Sequence, residues 1–214
     1  MKSFFFYIGI LAIVAGACKS SKKVPFCADP CLKDSLKFTG SHALHPYVYI
    51  SAKDCHPDSI TWSYAGMGVN RKTGFTYLLG NTFDLNKEKV RCIIKDTAYA
   101  LLLFNDCKTR RGFQVKLPYS KSQNFSIKSS GINNLDPKFS IADNLIAYTD
   151  RGNIYVEDIM TDKKAMMTFG KALEIDYDEI HDWIDSVNVT NTRIWVKVKV
   201  DGKWKELEKT ITLE

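Results

Sequence analysis

The feature that most narrows the folds open to this chain is a succession of short β-branched and aromatic runs, punctuated by Gly, Asn, Asp and Pro. "YVYIS", "SITWSY", "GFTYLLG", "VRCIIK", "YALLLF", "GFQVKL", "LIAYT", "NIYVEDI", "RIWVKVKV" and "KWKELEKTITLE" follow one another from Tyr47 to the C-terminus. Each has the length and residue types of a strand bounded by turn residues. Helical periodicity is nearly absent, so the expected fold class is all-β, as propeller-like blades or an antiparallel β sandwich. With 45% hydrophobic residues the chain can bury one ordinary core.

The C-terminal pair of runs fixes its own register. Asp201-Gly202 between two β runs is a strong two-residue hairpin signal, and as the loop it sets Lys197 opposite Glu206 and Lys199 opposite Trp204. Trp195, Lys197, Lys199 and Trp204 then share a face with Glu206 and Glu208, a candidate binding face that reads as wet or partner-bound. One short helix is expected near residues 177–187. In "DYDEIHDWIDSV", Ile180, Trp183, Ile184 and Val187 stand at i, i+3, i+4 and i+7, and Asp176 with Glu179 opens the segment like a capping box.

Four segments repeat a strand, polar turn, strand pattern, with second strands opening near Phe75, Phe113, Ile154 and Trp204. The intervals of 38, 41 and 50 residues bracket a propeller-blade period and also suit a sandwich. Within the third, "FSIADNLIAYTDRGNIYVEDIMTDKKAMMTFG", residues 139–170, resembles one blade of the TolB-type propeller repeat, found also in the propellers of prolyl-oligopeptidase and dipeptidyl-peptidase relatives. The likeness rests on Phe139, Ser140, Ile146, Ala147, Tyr148, Asn153, Ile154, Tyr155, Val156, Asp158 and Thr161. Ile141, Ala142 and Asp143 stand where the family has Pro-Asp-Gly. The resemblance implies a hairpin whose apolar face and backbone edge must be covered by neighbouring units. It implies no catalysis, because the peptidase relatives hydrolyse through a separate domain with a G-x-S-x-G elbow, a sequence that does not occur here.

At the N-terminus, "MKSFFFYIGILAIVAGACKSSKK" places Lys2 before an apolar run, Phe4 to Val14, that is short for a bilayer span and is followed by small residues. That is the pattern of a secretory leader. Its end, "AGAC", resembles a bacterial lipobox, with Ala15 where Leu, Val or Ile is commoner. The resemblance implies cleavage after residue 17 and makes Cys18 the lipidation site, whose palmitate-type chains moor the protein in a membrane. The expected organisation is a signal peptide over 1–17, a lipidated tether and Cys-containing lead-in over 18–37, and an all-β propeller-like domain over 38–214. The expected location is the bacterial cell envelope, with the outer membrane favoured and the leaflet open.

The formal charge of +6 falls to +5 when Lys2 leaves with the leader, and the basic residues are scattered among acids. With an envelope address, this argues against nucleic acid as a partner. Cys27, Cys31, Cys55, Cys92 and Cys107 remain after Cys18. An oxidising envelope favours up to two disulfides and one free thiol, and "CADPC" suggests a local bridge between Cys27 and Cys31. A rival reading gathers Cys55 and His56 with His42 and His45 around zinc, but the spacing matches no zinc motif. The acidic run Glu174, Asp176, Asp178, Glu179 and Asp182 lacks the ligand spacing of an EF-hand and reads as a solvated helix face.

No P-loop, H-E-x-x-H or dinucleotide fingerprint occurs, so no cofactor, metal or catalytic residue is expected. The expected function is a membrane-tethered envelope lipoprotein that acts as a protein-binding or scaffolding module, not as an enzyme. Its partners are then the membrane, through the lipid, and another envelope protein. Glycan binding through Trp195 and Trp204 is the alternative, with an envelope hydrolase using His42, His45 or His56 behind it. Tyr47, Tyr49, Trp62, Tyr64 and Tyr77 are assigned to the β core.

Overall fold

The computed structural model describes residues 25–80 and 82–214; the leader, Cys18 and the tether at 19–23 lie outside the described residues. Strands dominate, as expected. β1 (Leu36–Thr39), β2 (Tyr47–Lys53), β3 (His56–Ser63) and β4 (Arg71–Gly74) form an antiparallel N-terminal sheet in chain order. Next come β5 (Val90–Lys95), β6 (Tyr99–Asn105), β7 (Gly112–Pro118), β8 (Ser126–Ile132), β9 (Phe139–Ile141), β10 (Leu145–Asp150), β11 (Asn153–Asp158) and β12 (Lys164–Met167). All of these except β9 build a seven-stranded central sheet of order β12-β11-β10-β8-β7-β6-β5. β13 (Ile184–Thr190), β14 (Arg193–Val200) and β15 (Lys203–Thr210) form the C-terminal sheet, whose other edge is β9, paired parallel to β13.

Side-chain alternation explains how the three sheets stack. Val48, Ile50, Ile60 and Trp62 of the N-terminal sheet meet Ala100, Leu102, Phe104, Phe113, Val115 and Leu117 of the central one. Val187, Val189, Ile194, Val196 and Val198 of the C-terminal sheet meet Leu145, Ala147, Ile154 and Val156 at the other end. The molecule is therefore two β sandwiches that share one sheet. A bulge in β8 makes this possible. Gly112 to Gln114 on β7 faces Gly131 to Lys128, so β8 carries one residue more. That extra residue keeps Ile127 and Ile132 on one face, although Ile127 packs in the N-terminal core and Ile132 in the C-terminal core.

At the same place the backbones crowd together. A Cβ on Gly112 would lie 2.1 Å from the Gly131 carbonyl oxygen, which only glycine avoids. Gln114 and Asn133 pin the junction from within. Gln114 Nε2 donates to Asn133 Oδ1 at 3.0 Å and to the Ala147 carbonyl at 2.7 Å, and Asn133 Nδ2 donates to the carbonyls of Phe104 and Phe113. The opposite face of the central sheet folds on itself there and buries Leu101, Leu103, Ile146 and Ile159 in a third, small cluster.

Of the two architectures expected, the strands take the antiparallel β sandwich and not a ring of blades. Finer expectations are corrected. Within the TolB-like segment, Phe139 and Ser140 lie in β9 of the C-terminal sheet, whereas β10 and β11 form a hairpin in the central sheet. The helix expected near 177–187 is only a 3-10 turn over Tyr177–Asp182, kinked at Glu179, and Ile184 already opens β13. A bulge between Ile184 and Ser186 spaces the inward residues Ile184, Val187 and Val189 three and then two apart, which imitates a helical stripe. "GFTYLLG" is a helix, α1 (Phe75–Leu79), closed by Gly80 in the left-handed region with its amide bonded to Thr76.

The lead-in is not free chain. Cys27 bonds to Cys107 and Cys31 to Cys55, so the local Cys27–Cys31 bridge does not form. Between them, Asp29 accepts from the Cys31 amide and turns the chain, sending the two thiols to different sheets, while Leu32 is buried in the N-terminal core. Cys92 is the free cysteine among the described residues, and burial pushes its thiol up to about 12.

Candidate functional site

The C-terminal hairpin places its face as its turn dictates. Asp201 and Gly202 both adopt positive φ, and β14 pairs with β15 so that Trp195 faces Glu208, Lys197 faces Glu206 and Lys199 faces Trp204. Ile194, Val196, Val198 and Val200 point into the core, which turns Trp195, Lys197 and Lys199 outward. Arg193 reaches Glu208 at 3.4 Å on the same side. Lys197 lies 3.8 Å from Asp185 of β13, so its charge is partly answered within the sheet. Trp204 is 44% exposed.

β15 is an edge. It pairs with β14 along all eight residues, and among the described residues no strand pairs with its other side, where Lys209 Nζ donates to the Met166 carbonyl of β12. On its core-facing side Lys203, Lys205, Leu207 and Lys209 stand opposite the buried residues of β14, yet the three lysines are exposed because the strand overhangs the core. Charges in that position are a common guard against uncontrolled strand pairing. The edge therefore offers free backbone donors and acceptors under charge control.

A second feature has no counterpart in the sequence reading. Beside α1, a cleft of about 460 Å³ is lined by Phe83, Asp84, Asp106, Arg111, Phe113 and Asp178 among others. Arg111 spans it: Nε donates to the Ser129 carbonyl at 2.7 Å, Nη1 meets Asp178 at 3.1 Å, and the guanidinium lies over the Phe113 and Tyr177 rings. Asp106, almost fully buried, accepts from the amides of Asp84 and Thr109 and from the Thr109 hydroxyl. These groups are committed to holding loops together. They come from positions far apart in the chain, with no motif spacing to link them.

The histidines do not converge. His42 and His45 lie in the loop before β2 and His56 at the start of β3, opposite Lys53 at the far end of β2. A seven-residue strand, about 20 Å, separates them. Cys55 is spent in its disulfide, and among the described residues no group of three or more His, Cys, Asp or Glu is placed to hold a metal. His56 Nδ1 is 3.4 Å from Asp84. His181 Nε2 is 2.8 Å from Asp136, but its Nδ1 faces the Ile184 carbonyl, so both ring nitrogens are taken by oxygen acceptors. Burial pushes the Asp136 carboxyl up, while the bonds from His181 and the Lys138 amide outweigh it and hold it below the usual range. The pair, with Asp136 buried and His181 half-buried, clasps the 3-10 turn to the lead into β9.

The acidic run resolves in a similar way. Asp176 caps the 3-10 turn through the Asp178 amide, and Asp178 bonds Arg111. Of the aromatics assigned to the core, Trp62 is fully buried with its indole N–H on the Pro118 carbonyl at 2.8 Å. Tyr77, on α1, is 81% exposed and Tyr49 is also exposed, so neither is a core residue. No protein-family model, curated protein or solved structure matches this chain.

Proposed function

We propose that this protein is an envelope lipoprotein, acylated on Cys18, that holds an extended segment of another envelope protein along the β15 edge. The single observation that carries the reading is the eight-residue β15, without a strand partner on one side among the described residues and exposed almost throughout, with Trp204 near its start. Main-chain groups of such an edge supply affinity to an incoming strand, and its alternate side chains supply selectivity. Trp195 and Trp204 add flat contact area at low entropic cost, and the Lys and Glu residues around them select a partner of complementary charge. The tether serves this role by confining the module to the surface where its partner lies.

One fractionation experiment tests both halves. Cys18→Ser should move the protein from membranes to the soluble fraction. Trp204→Asp combined with Glu206→Lys should leave it in membranes while lowering recovery of its specific partner about tenfold, as expected for loss of an aromatic anchor. Recovery that ignores the hairpin variants would overturn the docking assignment, and unchanged membrane attachment of Cys18→Ser would overturn the lipid one.

A further inference from the structure

The face of the central sheet opposite the two sandwich cores carries a cleft that the hairpin reading leaves unused. It has a volume of about 230 Å³, and Leu101, Gln114, Lys116, Lys128, Ile146 and Glu157 line it, with Lys164 at its rim. Its charge does not cancel. Glu157 accepts from Lys128 at 2.6 Å and from the Tyr148 hydroxyl at 2.7 Å, and lies 3.1 Å from Lys164. Lys116 has no lining carboxylate; Asp162 stands 3.9 Å away, and the ammonium sits 4.1 Å over the Tyr99 ring. Three ammonium groups thus meet one lining carboxylate, with Asp162 answering Lys116 from outside the cleft; Lys128 is the least exposed of the three, while Lys116 and Lys164 stay open to water.

Gln114 supplies an independent observation. Its Nε2 donates to Asn133 Oδ1 and the Ala147 carbonyl, both acceptors, so the amide orientation is fixed. Its Oε1 is consequently left without a donor, the one buried side-chain atom in that condition among the described residues, on a residue only 2% exposed. Buried acceptors are rarely left unanswered. The walls formed by Leu101 and Ile146 are apolar.

We infer that this cleft binds a small hydroxylated anion of the sugar-acid class. Lys116, Lys128 and Lys164 hold the anionic group, a hydroxyl donates toward Gln114 Oε1, and the C–H face of the ring lies on Leu101 and Ile146. The volume is below the ~300 Å³ of ordinary drug-sized sites, which suits a single ring and not the interior of a polysaccharide. A carboxylate or a phosphate ester on the ring would meet the same three lysines.

The test is titration of the full chain, in detergent and at low salt, with glucuronate, glucose 6-phosphate, glucose and acetate. Saturable binding of either sugar anion, with none of glucose or acetate, is the expected result, and the preferred one of the two identifies the anionic group. Lys116→Gln and Lys164→Gln, both solvent-reachable changes, should each weaken binding about tenfold, the effect of losing one charge-assisted hydrogen bond. Lys87→Gln, outside the cleft, and Trp204→Asp, on the hairpin, should leave it unchanged, which separates this site from the docking edge. No saturation by either sugar anion, binding of acetate equal to theirs, or affinity unaltered by both cleft variants would overturn the assignment.

Discussion

At the scale of single residues, Glu157 is the group whose ionisation matters most to stability. Burial pushes its carboxyl up, but hydrogen bonds from Lys128 and Tyr148 and the lysine charge outweigh it and bring the group down from 4.5 to about 2. The pair is asymmetric, since burial pulls the Lys128 ammonium below its ordinary value even though Glu157 raises it. A carboxyl lowered on folding stabilises the native state above its unfolded value, and that contribution fades as pH falls toward the folded value. Between pH 6 and pH 3 the expected loss from this group is about 2 kcal/mol. Urea melts of the native protein and Glu157→Gln at both pH values check it: the variant should lose less stability on acidification by that amount. Half-buried Cys92 shows the opposite behaviour, since burial with no charged partner pushes its thiol up to about 12 and keeps it neutral.

At the scale of elements, the two disulfides bind the lead-in to the body across very different loops. Cys27 and Cys107 are 80 residues apart and Cys31 and Cys55 are 24 apart. Loop-closure entropy predicts stabilisation of about 4.5 and 3.5 kcal/mol respectively. Replacing the Cys27–Cys107 pair by Ser should therefore lower the unfolding free energy more than replacing Cys31–Cys55, measured in denaturant. Sequence could propose two bridges and a spare thiol, but it favoured the near pair because nearness along the chain is all that "CADPC" displays. The same limit governs the elements. β5, β6, β7, β10, β11, β14 and β15 were legible because each is a β-rich run between turn residues. β4 ("RKTG"), β8 ("SIKSSGI") and β12 ("KAMM") were not, since their neighbours, and not their own composition, hold them in the sheet. β13 was hidden by its bulge, which gave its buried residues a helical spacing. The hairpin register was readable to the residue because a two-residue turn fixes it locally. The Arg111 cleft and the Gln114 cleft were unreadable because they join residues that only the tertiary fold brings together.

At the scale of the whole molecule, the central sheet is the organising element. Sandwich cores on one face leave the other free to fold into a recess, and the Gln114–Asn133 pair at the junction ties both halves to the same strands. The C-terminal sheet is thereby held firmly on its inner face while its β15 edge projects outward, the geometry on which the proposed strand docking rests. The most direct test of the docking proposal places a photo-activatable residue at position 204 of the full chain in its native cells, with the same probe at the exposed Val69 as comparison. The account predicts one discrete protein adduct from position 204 and none from position 69; no adduct at 204, or the same adduct from both positions, would contradict it.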